Sequence, residues 1–108
     1  MPRPTAHGEI WWAELDKRRP AVVVSRDDVQ GVRQRTTVAP ITTTVRGIPS
    51  EVGVDERDGL SASSAVNCDE LVTIRKALLL RRIGQLSAPR RRELHRALAF
   101  ALSLSAVE

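Results

Sequence analysis

The chain has 108 residues, a length that suits one domain, and its three aromatic residues leave the core to be built from aliphatic side chains. One cysteine, Cys68, excludes an intramolecular disulfide and a zinc cluster made of cysteines, and its place at a predicted strand end indicates a buried, inert thiol. The 17 lysine and arginine residues outnumber the 13 acidic ones.

The charges are segregated along the chain. Residues 51–70 carry six carboxylates and a single arginine, whereas residues 75–96 carry eight cations and a single glutamate. Nearly all the cations are arginine, whose planar fork matches the oxygens of a phosphate, so the pattern favours an anionic partner. A GC-rich genome would produce the same preference for arginine.

The first residues, 1–7, contain two prolines and no periodic pattern, so they predict a frayed tail. They lack the apolar run of a signal peptide, and no stretch is long and apolar enough to cross a bilayer, so a cytoplasmic location without membrane contact is expected. We expect residues 1–108 to form one domain. His7 has no partner nearby in sequence that would indicate catalysis.

Two strands are predicted next. Residues 8–15 alternate in polarity, residues 16–20 form a short charged connection that allows a tight hairpin, and residues 21–25 are an apolar run typical of a central strand. Arg19 is expected to be the last residue of the connection, and Pro20 restricts it to an extended conformation.

Residues 36–49 are rich in threonine, and their β-branched side chains favour an extended backbone. Pro40 has no N–H for a sheet ladder, which predicts an edge strand or a bulge there. The hydroxyls that follow Pro40, together with Arg46, would face an anion at the strand end. An ordinary threonine-rich edge strand has the same composition.

The remaining strands are predicted at 50–54, 65–68, 71–74 and 78–86, with a turn-rich excursion over 55–64. Because no helix separates them, they favour an antiparallel barrel or a strongly bent sheet. Ser87 and Pro89 begin a C-terminal helix whose apolar positions recur at helical spacing. Its first turn holds Arg90, Arg91 and Arg92, which the helix dipole disfavours, so an acidic partner, a phosphate or solvent is expected there. His95 is predicted to be packed or solvated.

Five short motifs, taken in order, resemble the MazF/PemK toxins of bacterial toxin–antitoxin pairs. They are GEIW at 8–11, RPAVVVS at 19–25, VAPIT at 38–42, AVNCD at 65–69 and RIG at 82–84, followed by the helix. The resemblance implies an SH3-like antiparallel β-barrel with a C-terminal helix, of the kind shared with CcdB. It also implies a homodimer, and a metal-independent endoribonuclease with no cofactor that cuts single-stranded RNA. The partner it implies is a MazE-like antitoxin whose acidic C-terminal tail folds across the RNA groove.

The resemblance assigns the chemistry to Arg19 and Thr42. Around them we expect RNA contacts from neighbouring polar residues, namely Asp16, Arg18, Thr43, Thr44, Arg46 and Arg82. A guanidinium keeps its proton, so Arg19 would stabilise charge on the phosphate or donate to the leaving oxygen, and Asp16 is the nearest carboxylate for the base. The family's longer first loop, with its GSEQ-like motif, is shortened here to residues 16–19, which removes a family glutamate.

Two other functions are compatible with the residues. A CcdB-like toxin would bind a protein such as DNA gyrase and cleave nothing, with its C-terminal helix carrying the activity. A non-catalytic module would bind RNA or DNA in a salt-dependent way without product.

Overall fold

The structure is a computed structural model, and it describes residues 3–104, which form seven strands and a C-terminal helix. The elements are β1 Glu9–Glu14, β2 Arg18–Val23, β3 Arg35–Thr42, β4 Glu51–Val54, β5 Ser64–Asn67, β6 Val72–Arg75, β7 Leu79–Gln85 and α1 Ala88–Ala101. The strands pair antiparallel in the order β4-β5-β3-β2-β1-β7, and β6 also pairs with β3. The predicted barrel-like, mainly β fold with a terminal helix is confirmed, although the path of paired strands ends at β4 and β7 without closing.

The central strands are covered on both faces, so the parity of a residue decides where its side chain lies. Val22 packs into a first core together with Leu94 of α1, whereas Ala21 and Val23 pack into a second core with Leu79 of β7. Arg19 has the parity of the second core.

The β1–β2 hairpin is tighter than predicted. Leu15 N–H donates to the Lys17 carbonyl at 3.0 Å, and β2 already begins at Arg18. The prediction that Arg19 ends the loop is therefore wrong, because it lies in β2 opposite Ala13. Strand pairing holds the backbone of Arg19 more firmly than a loop would.

Pro40 does not mark an edge strand or a bulge. It lies in β3 opposite Ala21 of β2, inside the sheet. On its other side, β3 pairs with β6 up to Val38 and with β5 from Ile41 onward. Pro40 falls in the gap between these two partners, where a residue without an N–H is tolerated.

The predicted frayed tail is wrong from Arg3 onward; residues 1 and 2 lie outside the described residues. Thr5 is 4% exposed and exchanges two backbone hydrogen bonds with Asp28. Gly31 lies so close that a Cβ there would meet the Pro4 nitrogen at 2.6 Å, which only glycine avoids. The start of the chain is thus packed against the loop between β2 and β3.

Arg90, in the first helical turn, contacts acidic groups of the chain itself. Ser87 Oγ accepts from Arg90 N–H at 3.3 Å, as predicted for the cap. The Arg90 guanidinium contacts Asp58 at 3.3 Å and Asp55 at 3.8 Å, which ties α1 to the turn after β4. Arg91 donates to the Leu86 carbonyl at 2.7 Å. Arg90 therefore has its acidic partners within the chain, Arg91 is held by a backbone carbonyl, and Arg92 is exposed.

His7 and His95 join the start of the chain to α1 through one hydrogen bond. Their Nε2 atoms are 2.9 Å apart, and His7 Nδ1 donates to the Val24 carbonyl at 3.0 Å. Neutral His7 is then the acceptor and His95 the donor. Burial, followed by the proximity of His7 and Arg91, lowers the pKa of His95 below 6.5.

Stability is expected to fall on acidification because folding lowers the pKa of His95. The unfolded state binds the proton more readily, so the contribution is complete above about pH 6.5 and is lost as the pH drops through the folded-state pKa. Urea unfolding between pH 7.5 and 5.5 measures it. His95→Gln should flatten the pH dependence, and an unchanged slope would contradict this role.

Among residues 3–104, no helix is both long and apolar enough to cross a membrane.

Candidate active site

Arg19 and Thr42 come from neighbouring strand ends and face the same space. Thr42 ends β3, two residues beyond Pro40 and on the same side of the strand, which is the side of the second core. Together they line a hollow of about 210 Å³, here called the Arg19 hollow. Its wall consists of Arg19, Pro40, Thr42, Thr44, Arg46, Glu51, Asn67 and Glu70. Four of the predicted site residues therefore meet in one place.

The segment after β3 is held as a rim of the Arg19 hollow. Thr44 N–H donates to Thr42 Oγ1 at 3.1 Å, which turns the chain beyond the strand. Glu51 accepts from the N–H groups of Arg46 and Gly47, both at 3.0 Å, and Gly47 has a φ of 69° that favours glycine. Arg46 thus sits on a braced turn beside the threonine hydroxyls.

Asp16 reaches the site through Arg19. Its Oδ2 accepts from Arg19 Nη2 at 2.9 Å, and its side chain is 72% exposed, whereas that of Arg19 is 20% exposed. Arg19 Nε is buried and has no acceptor among residues 3–104. An unpaired buried donor costs about 1–3 kcal/mol. The guanidinium is therefore only partly satisfied by the protein.

A larger hollow continues from the first. It has a volume of about 450 Å³ and is called the Leu15 hollow. It is lined by Glu14, Leu15, Asp16, Arg19, Pro40, Glu70, Val72, Ile74 and Leu78. Arg19, Pro40 and Glu70 belong to both walls, so the two hollows form one groove with an apolar floor and a charged rim.

Three predicted residues lie elsewhere. Thr43 has the opposite parity to Thr42 and lines a separate hollow on the side of the first core. Arg18 is bound to Glu14 at 2.9 Å in an exposed pair, and Arg82 contacts Glu9 at 3.3 Å. Neither arginine is part of the walls of the Arg19 or Leu15 hollows.

Glu70, Asn67 and Glu51 are site residues that sequence reasoning missed. They reach the Arg19 hollow because β5 pairs with the end of β3, with Thr42 opposite Ala65, and β4 pairs with β5 in turn. The AVNCD motif at 65–69 predicts the end of β5 but does not indicate that β5 pairs with β3.

The walls of the groove combine the guanidinium groups of Arg19 and Arg46 with the hydroxyls of Thr42 and Thr44 and with four carboxylates, those of Glu14, Asp16, Glu51 and Glu70. Within the part of the chain described, no three histidine, cysteine or acidic residues cluster as metal ligands would. Burial and the nearby Asp69 raise the pKa of the Cys68 thiol to about 11, and the thiol lies in the first core. The prediction of a buried thiol is confirmed, since Cys68 is 1% exposed.

The fold and groove together define a small β-barrel-like domain with a C-terminal helix and a charged groove at the strand ends. The chain belongs to the PemK-like, MazF-like toxin family of type II toxin–antitoxin systems, whose family model matches residues 6–102.

Relatives and solved structures agree with this membership. The chain is 42% identical over 103 residues to probable endoribonuclease MazF5 of Mycobacterium tuberculosis, covering 93% of this chain and 94% of that one. It is 45% identical over 92 residues to endoribonuclease MazF3 of the same species, covering 85% and 89%. The structure of the Mycobacterium tuberculosis toxin MazF-mt6 superposes with a TM-score of 0.86 at 43% identity, over 90% of this chain and 98% of that one. A mycobacterial endoribonuclease in complex with its cognate antitoxin superposes with a TM-score of 0.84 at 26% identity, over 94% and 97%.

Proposed function

We propose that this protein is a toxin endoribonuclease that cuts single-stranded RNA without a metal ion and leaves 2',3'-cyclic phosphate and 5'-hydroxyl ends. The observation that carries the proposal is the meeting of Arg19, Thr42 and Arg46 in one hollow. Two guanidinium groups and a hydroxyl at one strand end suit a phosphodiester group. The endoribonuclease names of the relatives, which this chain matches over most of their length, support the same activity.

Arg19 acts on the charge of the transition state. When the 2'-oxygen attacks phosphorus, negative charge builds up on the non-bridging oxygens, and donors placed in advance stabilise that charge more than the ground state. The Arg19 guanidinium has five N–H donors and gives one side-chain hydrogen bond to Asp16 from Nη2, which leaves terminal donors for the phosphate. Thr42 Oγ1, which accepts from Thr44 N–H, keeps its own O–H free to donate to the same phosphate.

A carboxylate from the groove takes the proton of the 2'-hydroxyl. Glu70 lines the same wall as Arg19 and Thr42, whereas Asp16 is engaged by the Arg19 guanidinium. We therefore assign the base to Glu70, which stands in for the glutamate that the shortened first loop lacks. The 2'-oxygen bonds to phosphorus, the bond to the 5'-oxygen breaks, and that oxygen takes a proton from solvent.

Glu70→Gln is expected to lower kcat about a hundredfold, because the amide occupies the same space but cannot accept the proton. Cleavage of a fluorescent RNA under saturating conditions measures it. Glu56→Gln, which removes one exposed carboxylate in the 3₁₀ turn Glu56–Asp58, serves as the charge-matched control. A greater loss in Asp16→Asn than in Glu70→Gln would contradict the assignment.

The protein would work as a cytoplasmic homodimer of this single domain, inhibited by an antitoxin. The structure of a relative solved with its cognate antitoxin supports such a partner. An acidic, MazE-like tail would enter the groove that contains Arg19 and Arg46, and salt would weaken its binding. Arg18 and Arg82 are left to contact RNA outside the groove walls.

Single-stranded RNA and DNA of identical sequence distinguish this function from simple nucleic-acid binding. RNA should be cut and DNA left intact, because DNA lacks the 2'-hydroxyl nucleophile. Binding of both without product would overturn the proposal in favour of a non-catalytic module. The groove and the relatives give no support to a gyrase-binding, CcdB-like activity.

A further inference from the structure

A third hollow opens at the same end of the sheet, on the face opposite the Arg19 hollow. It has a volume of about 370 Å³ and is called the Trp12 hollow. Its wall consists of Trp12, Pro20, Ile41, Thr43, Gly59, Leu60, Ser61, Ala62, Ser64, Arg81 and Ile83. Pro20 follows Arg19 in β2, and Thr43 follows Thr42 after β3. The Arg19 hollow and the Trp12 hollow are therefore separated by little more than the ends of β2 and β3.

The two adjacent tryptophans have different environments. Trp11 is 6% exposed, donates from Nε1 to Glu9 at 3.0 Å, and carries the Arg3 guanidinium 5.0 Å above its ring. Trp12 is partly exposed and forms part of the wall of a cavity beside the exposed Arg81, which lies opposite it in β7. Trp11 has a structural role, whereas Trp12 presents an aromatic surface next to a cation.

The lining of the Trp12 hollow suits a nucleotide. An indole face stacks on any base, a neighbouring arginine adds an attraction to phosphate, and hydroxyls such as those of Thr43 and Ser61 can bond to base edges. We propose, on the basis of the proposed function, that this hollow binds the base of a single-stranded RNA nucleotide next to the cleaved bond. Trp12 stacks on the base, and Arg81 contacts its phosphate.

Tryptophan fluorescence tests this inference directly, because the chain has two tryptophans that can be removed one at a time. The probe is a short 2'-fluoro RNA, which lacks the nucleophile and is not cut. We expect quenching in Trp11→Phe, where Trp12 remains, and little change in Trp12→Phe. If the probe quenched the fluorescence of Trp12→Phe, where only Trp11 remains, and not that of Trp11→Phe, the inference would be wrong.

Affinity for the same probe provides a second readout. Trp12→Leu should weaken binding by about five- to a hundredfold, the range expected for losing one base–aromatic stack, while Trp12→Phe should retain most of it. Phe100→Leu, a matched loss of an exposed aromatic ring on α1, should leave affinity unchanged. Equal affinity of Trp12→Leu and the parent would overturn the inference even if the parent cuts RNA.

The failure of this inference and that of the proposed function are distinguishable. If the parent leaves all RNA intact but binds the 2'-fluoro probe through Trp12, the nuclease proposal fails and the base site stands. If an acidic peptide quenches Trp12 and RNA does not, the hollow is a site for antitoxin and not for RNA, and the inference is wrong.

Discussion

Arg19→Ala is expected to lower kcat/KM for RNA cleavage by about a hundred- to a thousandfold, which is the usual loss for one donor to a developing oxyanion. The reason is geometric: β2 directs Arg19 into the hollow that also contains Thr42. Arg19→Lys should recover only a small part of the rate, since an ammonium lacks the planar fork. Initial rates on a fluorescent RNA measure both variants.

Arg35→Ala is the matched control for the loss of one positive charge. Arg35 is exposed at the start of β3, about 23 Å from Thr42 along the eight-residue strand. Its removal should change the rate by no more than a few-fold. If Arg19→Ala retained the parental rate, or if Arg35→Ala lost as much as Arg19→Ala, the role assigned to Arg19 would be wrong.

Lys76→Met is expected to lower the free energy of unfolding by about 3–5 kcal/mol, because it leaves a buried charge without its partner. Lys76 is 2% exposed, and its ammonium donates to the Asp28 carboxylate and, at 2.7 Å, to the Arg3 carbonyl. The interaction connects the start of the chain, the β2–β3 loop and the β6–β7 connection. Urea unfolding monitored by circular dichroism measures the loss.

A double variant separates the unpaired charge from the lost packing. Asp28 also accepts from Val32 N–H through Oδ1 and from Arg33 N–H through Oδ2, and the single oxygen of an uncharged asparagine can keep one of these two bonds. Lys76→Met with Asp28→Asn should therefore be more stable than Lys76→Met alone. Lys17→Met, at an exposed lysine of the first hairpin, should stay within about 0.5 kcal/mol of the parent. If the free energy of unfolding lost in the double variant equalled the sum of the losses in Lys76→Met and Asp28→Asn, the pairing of Lys76 with Asp28 would be contradicted.

Acid should weaken the same pair. The Lys76 hydrogen bond, followed by those from the backbone, lowers the pKa of Asp28 below 3.8. The unfolded state then binds the proton more readily, so the contribution of Asp28 is complete above about pH 4 and is lost as the pH falls through the folded-state value.

Local sequence patterns predicted the elements well because strand and helix signals are short-range. The β-branched run before Thr42, the Ser87 cap and the helical spacing of Leu94 and Ala97 each depend on residues within a few positions. The placement of Arg19 depends instead on the hairpin register, which pairs it with Ala13, whereas the charged composition of residues 16–20 predicts a loop. Pairing with β1 draws that polar segment into the sheet.

Contacts between distant segments account for what sequence reasoning missed. Glu70 enters the groove through the pairing of Thr42 with Ala65, and Asp28 meets Lys76 across 48 positions of the chain. Neither contact has a local signal, since a carboxylate near a strand end is usually solvated. Arg82 is the opposite case. Its motif predicted an RNA contact next to Arg19 and Thr42, but its guanidinium contacts Glu9 instead.

In the proposed function, the groove holds a phosphodiester while the neighbouring 2'-hydroxyl attacks the phosphorus, and the chemical ends of the cut RNA test that proposal most directly. Mass spectrometry of a mixed RNA pool, cut by the parent protein in the presence of EDTA, should find 2',3'-cyclic phosphate and 5'-hydroxyl ends. Ends with 3'-hydroxyl and 5'-phosphate groups, or RNA left intact once EDTA is present, would contradict it.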